Sequence, residues 1–234
     1  YLNQLLKGIK GTEIVKNQEY KKIVNKLNQE QLEEEYELPK TLNAKLRYYQ
    51  KTGYTWLKIL DNYKFGGILA DDMGLGKTIQ ILAIILNYIE ETKKEKTEST
   101  NKKETENKEE AENKNTYNTE KQKERKTSIV ISPSSLTLNW LNEAKKFAPN
   151  LQVKVISGKA SERKEQIENL EKYDIIITSY DLLKRDIEAY KQKAYTFKFA
   201  ITDEAQYLKN SNTQNAKAVK QIKAQTKYAL TGTP

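Results

Sequence analysis

The sequence predicts an α/β fold, a parallel β-sheet with helices on both faces. Two observations carry this reading. Short β-branched runs alternate with polar, helix-compatible stretches through the second half of the chain. Further upstream, the strand-like "GGILA" passes through the turn "DDMGLGKT" into the helix-like "TIQILAIILNYI", the strand–loop–helix context that a phosphate-binding loop requires.

Taken in order, residues 1–36 place Leu5, Leu6, Ile9, Ile14, Val15, Ile23, Val24 and Leu27 at rough helical spacing, with breaks at Gly8 and Gly11. This predicts a helical appendage that docks on the main domain. "ELPKTL" supplies a proline break, and the domain proper is expected over residues 37–234. It opens with "NAKLRYYQKTGYTWLKIL", whose Leu46, Tyr49, Tyr54, Leu57 and Leu60 predict an amphipathic helix. Residues 92–127 have only Ala111 and Tyr117 to bury, too little to offset the entropy of ordering, and are expected to be a disordered, mobile insertion. An isolated charged helix is the alternative.

Beyond the insertion, "SIVIS" (128–132), "LQVKVIS" (151–157), "YDIIITS" (173–179), "FKFAITD" (197–203) and "KYALTG" (227–232) read as strands. Leu136 to Phe147, Ser161 to Glu171, Asp181 to Ala189 and Thr213 to Ala224 read as the helices between them. No repeat at a fixed period is visible. In such a sheet the functional loops lie at the carboxyl ends of the strands.

Composition narrows the function less than the motifs do. The 234 residues suit one sizeable core with appendages. The net charge of +9, from 41 basic and 32 acidic residues, suits a polyanionic partner or a merely soluble basic protein. With no cysteine and no histidine, a disulfide framework and a Cys/His zinc site are excluded. The longest apolar run, Ile79 to Ile89, is interrupted by Gln80 and Asn87 and falls short of the ~20 residues that span a bilayer. The N-terminus does not read as a secretory signal, so a cytoplasmic protein without membrane attachment is expected.

Two motifs carry chemistry. In the turn, Gly74 and Gly76 would let backbone amides approach phosphate oxygens at the positive end of the following helix. Asp72, Met73 and Leu75 complete the cradle, Lys77 would bridge the β- and γ-phosphates, and Thr78 would ligate Mg²⁺. The first glycine of the GxxxxGK[ST] pattern is replaced by Asp71, and a chance "GKT" is the alternative. At the end of "FKFAITD", Asp203 is placed to bridge a magnesium ion and Glu204 to polarise an attacking water. A helix N-cap with first-turn acids is the other reading of "DEAQ".

Together, "DDMGLGKT", "DEAQ" and the terminal "LTGTP" resemble motifs I, II and III of superfamily two helicases, and "LADDMGLGKTIQ" is similar to the Swi/Snf-like branch. "LPKTLNAKLRYYQKTGYTWL" resembles the adenine-reading Gln motif, "VISPSSLTLNWLNEAKKF" motif Ia and "YDIIITSYDLL" motif Ib. The resemblance covers Glu37 to Pro234, less the charged insertion. It implies a RecA-like P-loop NTPase lobe that binds ATP and Mg²⁺ in a duplex-DNA-dependent ATPase that translocates on DNA or remodels DNA–protein complexes. It also implies a second RecA-like lobe, carrying an arginine finger, that this chain lacks.

By the same resemblance Gln50 would read the adenine edge; a surface glutamine is the alternative. Ser134, Ser135, Asn139, Thr178 and Ser179 would contact DNA phosphates, with Lys145, Lys146 and Lys159 adding charge, unless each is an ordinary cap or solvated lysine. Trp140, beside Leu138 and Leu141, is expected to pack rather than stack on a base. Gln206, at a position where related groups have histidine, would couple the phosphate site to Thr231 and Thr233. Acids before the glycines are usual in this branch, and here would cap the loop or hold Lys77. As an intact protein the chain is expected to be an ATP hydrolase and as an isolated lobe a poor one. A nucleotide-dependent binding module without turnover and an RNA helicase lobe are the competing readings. The abundance of Lys, Asn, Ile and Glu suits an AT-rich bacterial genome, which would place the protein with the nucleoid.

Overall fold

Among the described residues there are six strands, most of them aliphatic and β-branched runs: β1 (Gly67–Leu69), β2 (Ser128–Ser132), β3 (Val153–Val155), β4 (Ile175–Ser179), β5 (Thr196–Thr202) and β6 (Lys223–Leu230). The computed structural model describes Gln18, residues 36–106 and residues 125–232. The chain divides into Tyr1–Glu35 and Tyr36–Pro234, and all six strands belong to the second unit. The helical reading of residues 1–36 falls, but for Gln18 and Tyr36, outside the described residues, as do Thr233 and most of the second half of the charged segment.

All strand pairs are parallel, in the order β1-β6-β5-β2-β4-β3. Every residue of β2 and β4 is buried, as continuous apolar runs in the middle of a doubly covered sheet must be. The side chains of the strands divide the core into two layers. Val130, Ile177, Phe199, Ile201 and Tyr228 face one apolar layer, and Ile129, Ile131, Ile176, Phe197 and Ala200 face the other. The first layer is completed by α1 (Tyr48–Asn62), α2 (Lys77–Glu106) and α3 (Thr137–Phe147) through Leu57, Ile81, Ile85 and Trp140. The second is completed by α4 (Ala160–Glu168), α5 (Tyr180–Lys193) and α6 (Gln214–Gln221) through Ile167, Leu183, Tyr190 and Ala218. The α/β expectation is therefore met, with helices on both faces.

Boundaries differ from the sequence reading by a few residues at most element ends, and two of the differences change the reading. The helix α2 continues through Thr92 to Glu106, so the first part of the charged segment is helical and not disordered. An apolar helix docked on the sheet has already met the cost of nucleation, and Lys/Glu-rich sequence propagates it cheaply; Glu90 and Lys94, one turn apart, attract each other. The helix expected to run to Ala224 stops at Gln221, and β6 starts at Lys223. The exposed ends of Lys223 and Lys227 alternate with buried Thr226 and Tyr228, a period of two that its lysines disguised.

The helix that leads to the phosphate loop is fixed to the sheet by polar groups as well as by packing. Tyr228 Oη donates to the Leu57 carbonyl at 2.8 Å. Lys198 Nζ, on β5, contacts both oxygens of Asp61 on α1 at 2.7 and 2.9 Å, and Thr226 Oγ1 donates to the same carboxylate at 2.8 Å. The ammonium also lies 5.0 and 4.8 Å from the ring centres of Tyr88 and Phe199, where a cation is attracted to the ring face. Removing one member of a buried pair strands the other. Lys198→Ala is expected to cost about 3–5 kcal/mol, on the order of a 10 °C fall in Tm for a domain of this size. A thermal melt within a degree or two of wild type would show the pair to be dispensable.

Candidate nucleotide-binding site

Three strand ends come together at the carboxyl edge of the sheet. β6 lies between β1 and β5, so the glycine turn after β1, Thr231 after β6 and Asp203 after β5 are neighbours. The Thr231 amide donates to the Leu69 carbonyl at 3.2 Å, and the Asp203 amide to the Ile131 carbonyl at 2.8 Å. A Cβ placed on Gly232 would lie 3.1 Å from Met73 Cγ, so the third motif touches the first.

The turn folds as it does because of its glycines. Gly74 and Gly76 have φ of 82° and 80°, in the left-handed region that other residues enter only with strain. Around Gly74 there is open space, so conformation alone demands glycine there; at Gly76 a Cβ would also meet Gln50 Nε2 at 2.5 Å. The turn delivers the chain into α2 at Lys77. The amides of its first turn have no intrahelical acceptors and are available to an anion. Thr78 sits in that first turn, half-buried, while Asp72 and Met73 are exposed on the loop and Leu75 is half-buried.

Lys77 Nζ donates to the carbonyl oxygens of Asp71 at 2.6 Å and Asp72 at 3.0 Å. The loop does hold the lysine, as expected, but through the backbone of the two acids. The Asp71 carboxylate acts elsewhere. Its Oδ2 accepts from Gln80 Nε2 at 3.1 Å, bracing the loop against the first turns of α2. Gln80 is fully buried and its Oε1 has no partner. It fits only because residue 53 is glycine, where a Cβ would stand 1.9 Å from that oxygen.

Gln50 is placed at this loop but is already engaged. Its Nε2 donates to the Leu75 carbonyl at 3.0 Å and its Oε1 accepts from the Arg47 amide at 2.9 Å. One amide proton and one lone pair are left for a ligand.

Across the site, Asp203 Oδ2 accepts from Trp140 Nε1 at 2.8 Å and Oδ1 from the Glu204 amide at 2.9 Å. Burial raises the carboxyl's pKa; these two hydrogen bonds pull it back, Glu204 raises it and Lys77 lowers it a little. Glu204 is in the left-handed region, φ 50°, a strained backbone for a side chain of this size. Its Oε2 accepts from Gln206 Nε2 at 2.6 Å, and Gln206 Oε1 accepts from Thr231 Oγ1 at 3.0 Å. Residues 205–208 form a 3₁₀ turn after Glu204, but the DEAQ carboxylates are turned to this relay and to Trp140.

Sequence reasoning gave Trp140 a packing role. It is buried in the core and it also orients Asp203; the available signal was the general need of a buried indole N–H for an acceptor. Of the expected DNA contacts, Ser134 and Ser135 in a 3₁₀ turn and Asn139 on α3 are exposed. Lys145, Lys146 and Lys159 are exposed as well. Thr178 and Ser179 are corrections. Both are buried, because Thr178 belongs to central strand β4 and the Ser179 hydroxyl caps α5, accepting from the Leu182 amide at 3.2 Å.

The residues fit a nucleotide with Mg²⁺. The loop offers backbone amides and a cation with only carbonyl partners. Among the described residues no three acids converge as a metal cage. One carboxylate and one hydroxyl with substrate phosphates are the donor set that Mg²⁺ uses.

A parallel sheet whose first strand ends in a glycine turn and Lys-Thr, with an Asp-Glu pair two strands away, defines a P-loop nucleotide-binding lobe of the RecA type. Residues 49–234 match the model of the SNF2-related domain, and the chain belongs to that family. It is 37% identical over 201 residues to TATA-binding protein-associated factor MOT1 of Saccharomyces cerevisiae, covering 85% of this chain and 10% of that protein. Over 189 residues it is 37% identical to an uncharacterized ATP-dependent helicase of Mycoplasma genitalium, covering 81% of this chain and 15% of the other. Among solved structures, the Sulfolobus solfataricus SWI2/SNF2 ATPase core in complex with dsDNA matches with TM-score 0.62 and 38% identity, over 86% of this chain and 34% of that one. The chain thus spans a small part of the curated relatives and about a third of the core structure. Among the described residues no helix is long and apolar enough to cross a membrane.

Proposed function

We propose that this chain is the ATP-binding lobe of a Swi/Snf-like, DNA-dependent ATPase that couples hydrolysis to translocation on duplex DNA or to remodelling of DNA–protein complexes. The observation that carries the reading is the continuous set of contacts at the strand ends. Lys77 is held on its loop, Thr231 joins that loop's strand to Gln206, and Gln206 joins Thr231 to Glu204 beside Asp203.

In this reading the amides of the loop and of the first turn of α2 bind the phosphates, and Lys77 leaves its carbonyl partners to reach the β- and γ-phosphates. Thr78 and Asp203 would hold Mg²⁺, which would supply positive charge to neutralise the phosphates. Glu204, released from Gln206, takes the proton of the attacking water at its carboxylate. Gln50 offers its remaining donor and acceptor to the adenine edge and reports base occupancy to Leu75. Exposed Ser134, Ser135 and Asn139 lie at the carboxyl end of β2, one strand from Asp203, and are the proposed phosphate contacts to DNA. A solved relative being a core bound to dsDNA supports duplex over RNA. A second lobe of the same protein would complete the ATP site and the DNA clamp, and a cytoplasmic location fits this role.

Lys77→Ala is the direct test. Loss of a charged partner of the phosphates should weaken Mg·ATP binding by on the order of 10- to 100-fold, measured by calorimetric titration. Unchanged affinity would remove the phosphate loop from the reading and favour a lobe that binds nucleic acid without nucleotide.

A further inference from the structure

Asp203 is gripped from both layers of the fold. Trp140 Nε1 donates to its carboxylate at 2.8 Å, from α3 on one face of the sheet. Tyr180 Oη donates to its backbone carbonyl at 2.7 Å, from the first residue of α5 on the opposite face. The first donor lies directly behind the surface proposed to meet DNA, and the second at the buried junction of β4 and α5. Trp140 follows exposed Asn139 in α3, a helix entered through the Ser134–Leu136 turn, where Thr137 Oγ1 donates to the Ser134 carbonyl at 3.0 Å. Tyr180 follows Ser179, whose hydroxyl caps α5, and its ring stacks on half-exposed Tyr207 at 5.8 Å with 20° between the planes.

We propose that Trp140 and Tyr180 are positioning residues that set the Asp203 carboxylate for Mg²⁺, so that displacement of the turn before α3 or of the first turn of α5 alters metal and nucleotide binding directly. The inference rests on the ATP-binding reading above. It adds a route from the nucleic-acid face to the metal that does not pass through Gln206 and Thr231. The physical basis is the shortness of the route. Moving the buried indole either carries the Asp203 carboxylate with it or leaves a buried N–H unsatisfied, and Asp203 Oδ1 is fixed by the Glu204 amide, so two donors set the carboxylate plane. Losing the outer partner of a metal-holding group reduces metal affinity by about 10- to 100-fold in other proteins.

The test compares nucleotide affinity with Mg²⁺ and in excess chelator. In Trp140→Phe, which keeps most of the packing, the gain from Mg²⁺ should fall by about tenfold, while affinity in chelator stays within about twofold. Tyr180→Phe removes a single hydroxyl, folds irrespective of how the core tolerates the indole change, and should move the same ratio in the same direction. The chain's two tryptophans offer an independent readout: with Trp56→Phe, Trp140 is the sole tryptophan, and its emission, excited selectively over tyrosine, should shift on addition of Mg·ADP and on addition of duplex DNA. A Mg²⁺ gain unchanged in both variants overturns the inference, as does a Trp140 emission silent to both additions in a chain that binds nucleotide. If the parent chain binds no nucleotide under any condition, the ATP-binding reading itself fails and takes the inference with it.

Discussion

Glu204→Gln, in the two-lobe protein to which we propose this chain belongs, is expected to bind Mg·ATP within about twofold of wild type and to hydrolyse it on the order of 10²–10⁴-fold more slowly, the usual worth of a positioned general base. The substitution isolates the chemistry because it leaves the backbone problem unchanged. Residue 204 has φ 50°, and glutamine suffers the same left-handed strain as glutamate, so the loop has no new reason to relax. The side chain keeps an acceptor oxygen for Gln206 Nε2, which now meets Glu204 Oε2 at 2.6 Å. What is lost is the capacity to take a proton. Affinity should survive because Lys77, Thr78 and Asp203, not Glu204, carry the proposed phosphate and metal contacts. Rapid-quench measurement of single-turnover hydrolysis distinguishes slow chemistry from slow release. Near-normal turnover would return "DEAQ" to the role of a turn with acidic residues.

The same residues show how much of the site was legible in the sequence. Lys77, Asp203, Glu204, Gln206 and Thr231 could be assigned to one edge because alternating strands and helices dictate where loops gather, and these residues do gather there. The contacts among them could not be read. That Lys77 is held by carbonyls, that Asp71 braces Gln80 and that Gln50 is engaged with Leu75 and Arg47 depend on side-chain directions that no spacing rule supplies. Thr178 and Ser179 illustrate the opposite error. Their place at a strand end was correct, but the last residues of a central strand are still inside the sheet, and the hydroxyl of Ser179 is spent on capping its helix. Burial at that position follows from β4 lying between β2 and β3, a neighbour relation that the apolar run before Thr178 hints at but the two hydroxyl residues themselves do not show. The extension of α2 to Glu106 was hidden for a related reason: composition reports what a segment can bury, and a helix already nucleated upstream needs to bury nothing more to continue.

On its own, this chain is expected to bind adenine nucleotide weakly and to hydrolyse ATP slowly, with little response to duplex DNA. In the proposed reading Lys77, Thr78 and Asp203 hold the phosphates and Mg²⁺, but charge developing on the transferred phosphoryl group needs a further cation. The chain has four arginines. Arg163 is committed to Asp186, with Nε and Nη2 at 2.6 and 2.7 Å from its two oxygens, and Arg125 to Asp174 at 2.6 Å. Arg185 is exposed on α5, in the layer opposite α1 and α2. The arginine that completes the site is, in the family resemblance, a contribution of the second lobe, and an arginine finger is worth roughly 10³–10⁵ in rate in other phosphoryl-transfer enzymes. That effect exceeds any defect expected from local geometry. DNA would accelerate turnover by favouring closure of two lobes, and one lobe has no closure to favour; the path through Trp140 adjusts Asp203 and Mg²⁺ affinity but supplies no missing cation. Steady-state ATPase assays on this chain, with and without duplex DNA, and again after adding the second lobe in trans, measure the effect. Strong DNA-stimulated turnover by the lobe alone would overturn this expectation and direct attention to Arg47, exposed at the start of the helix that carries Gln50.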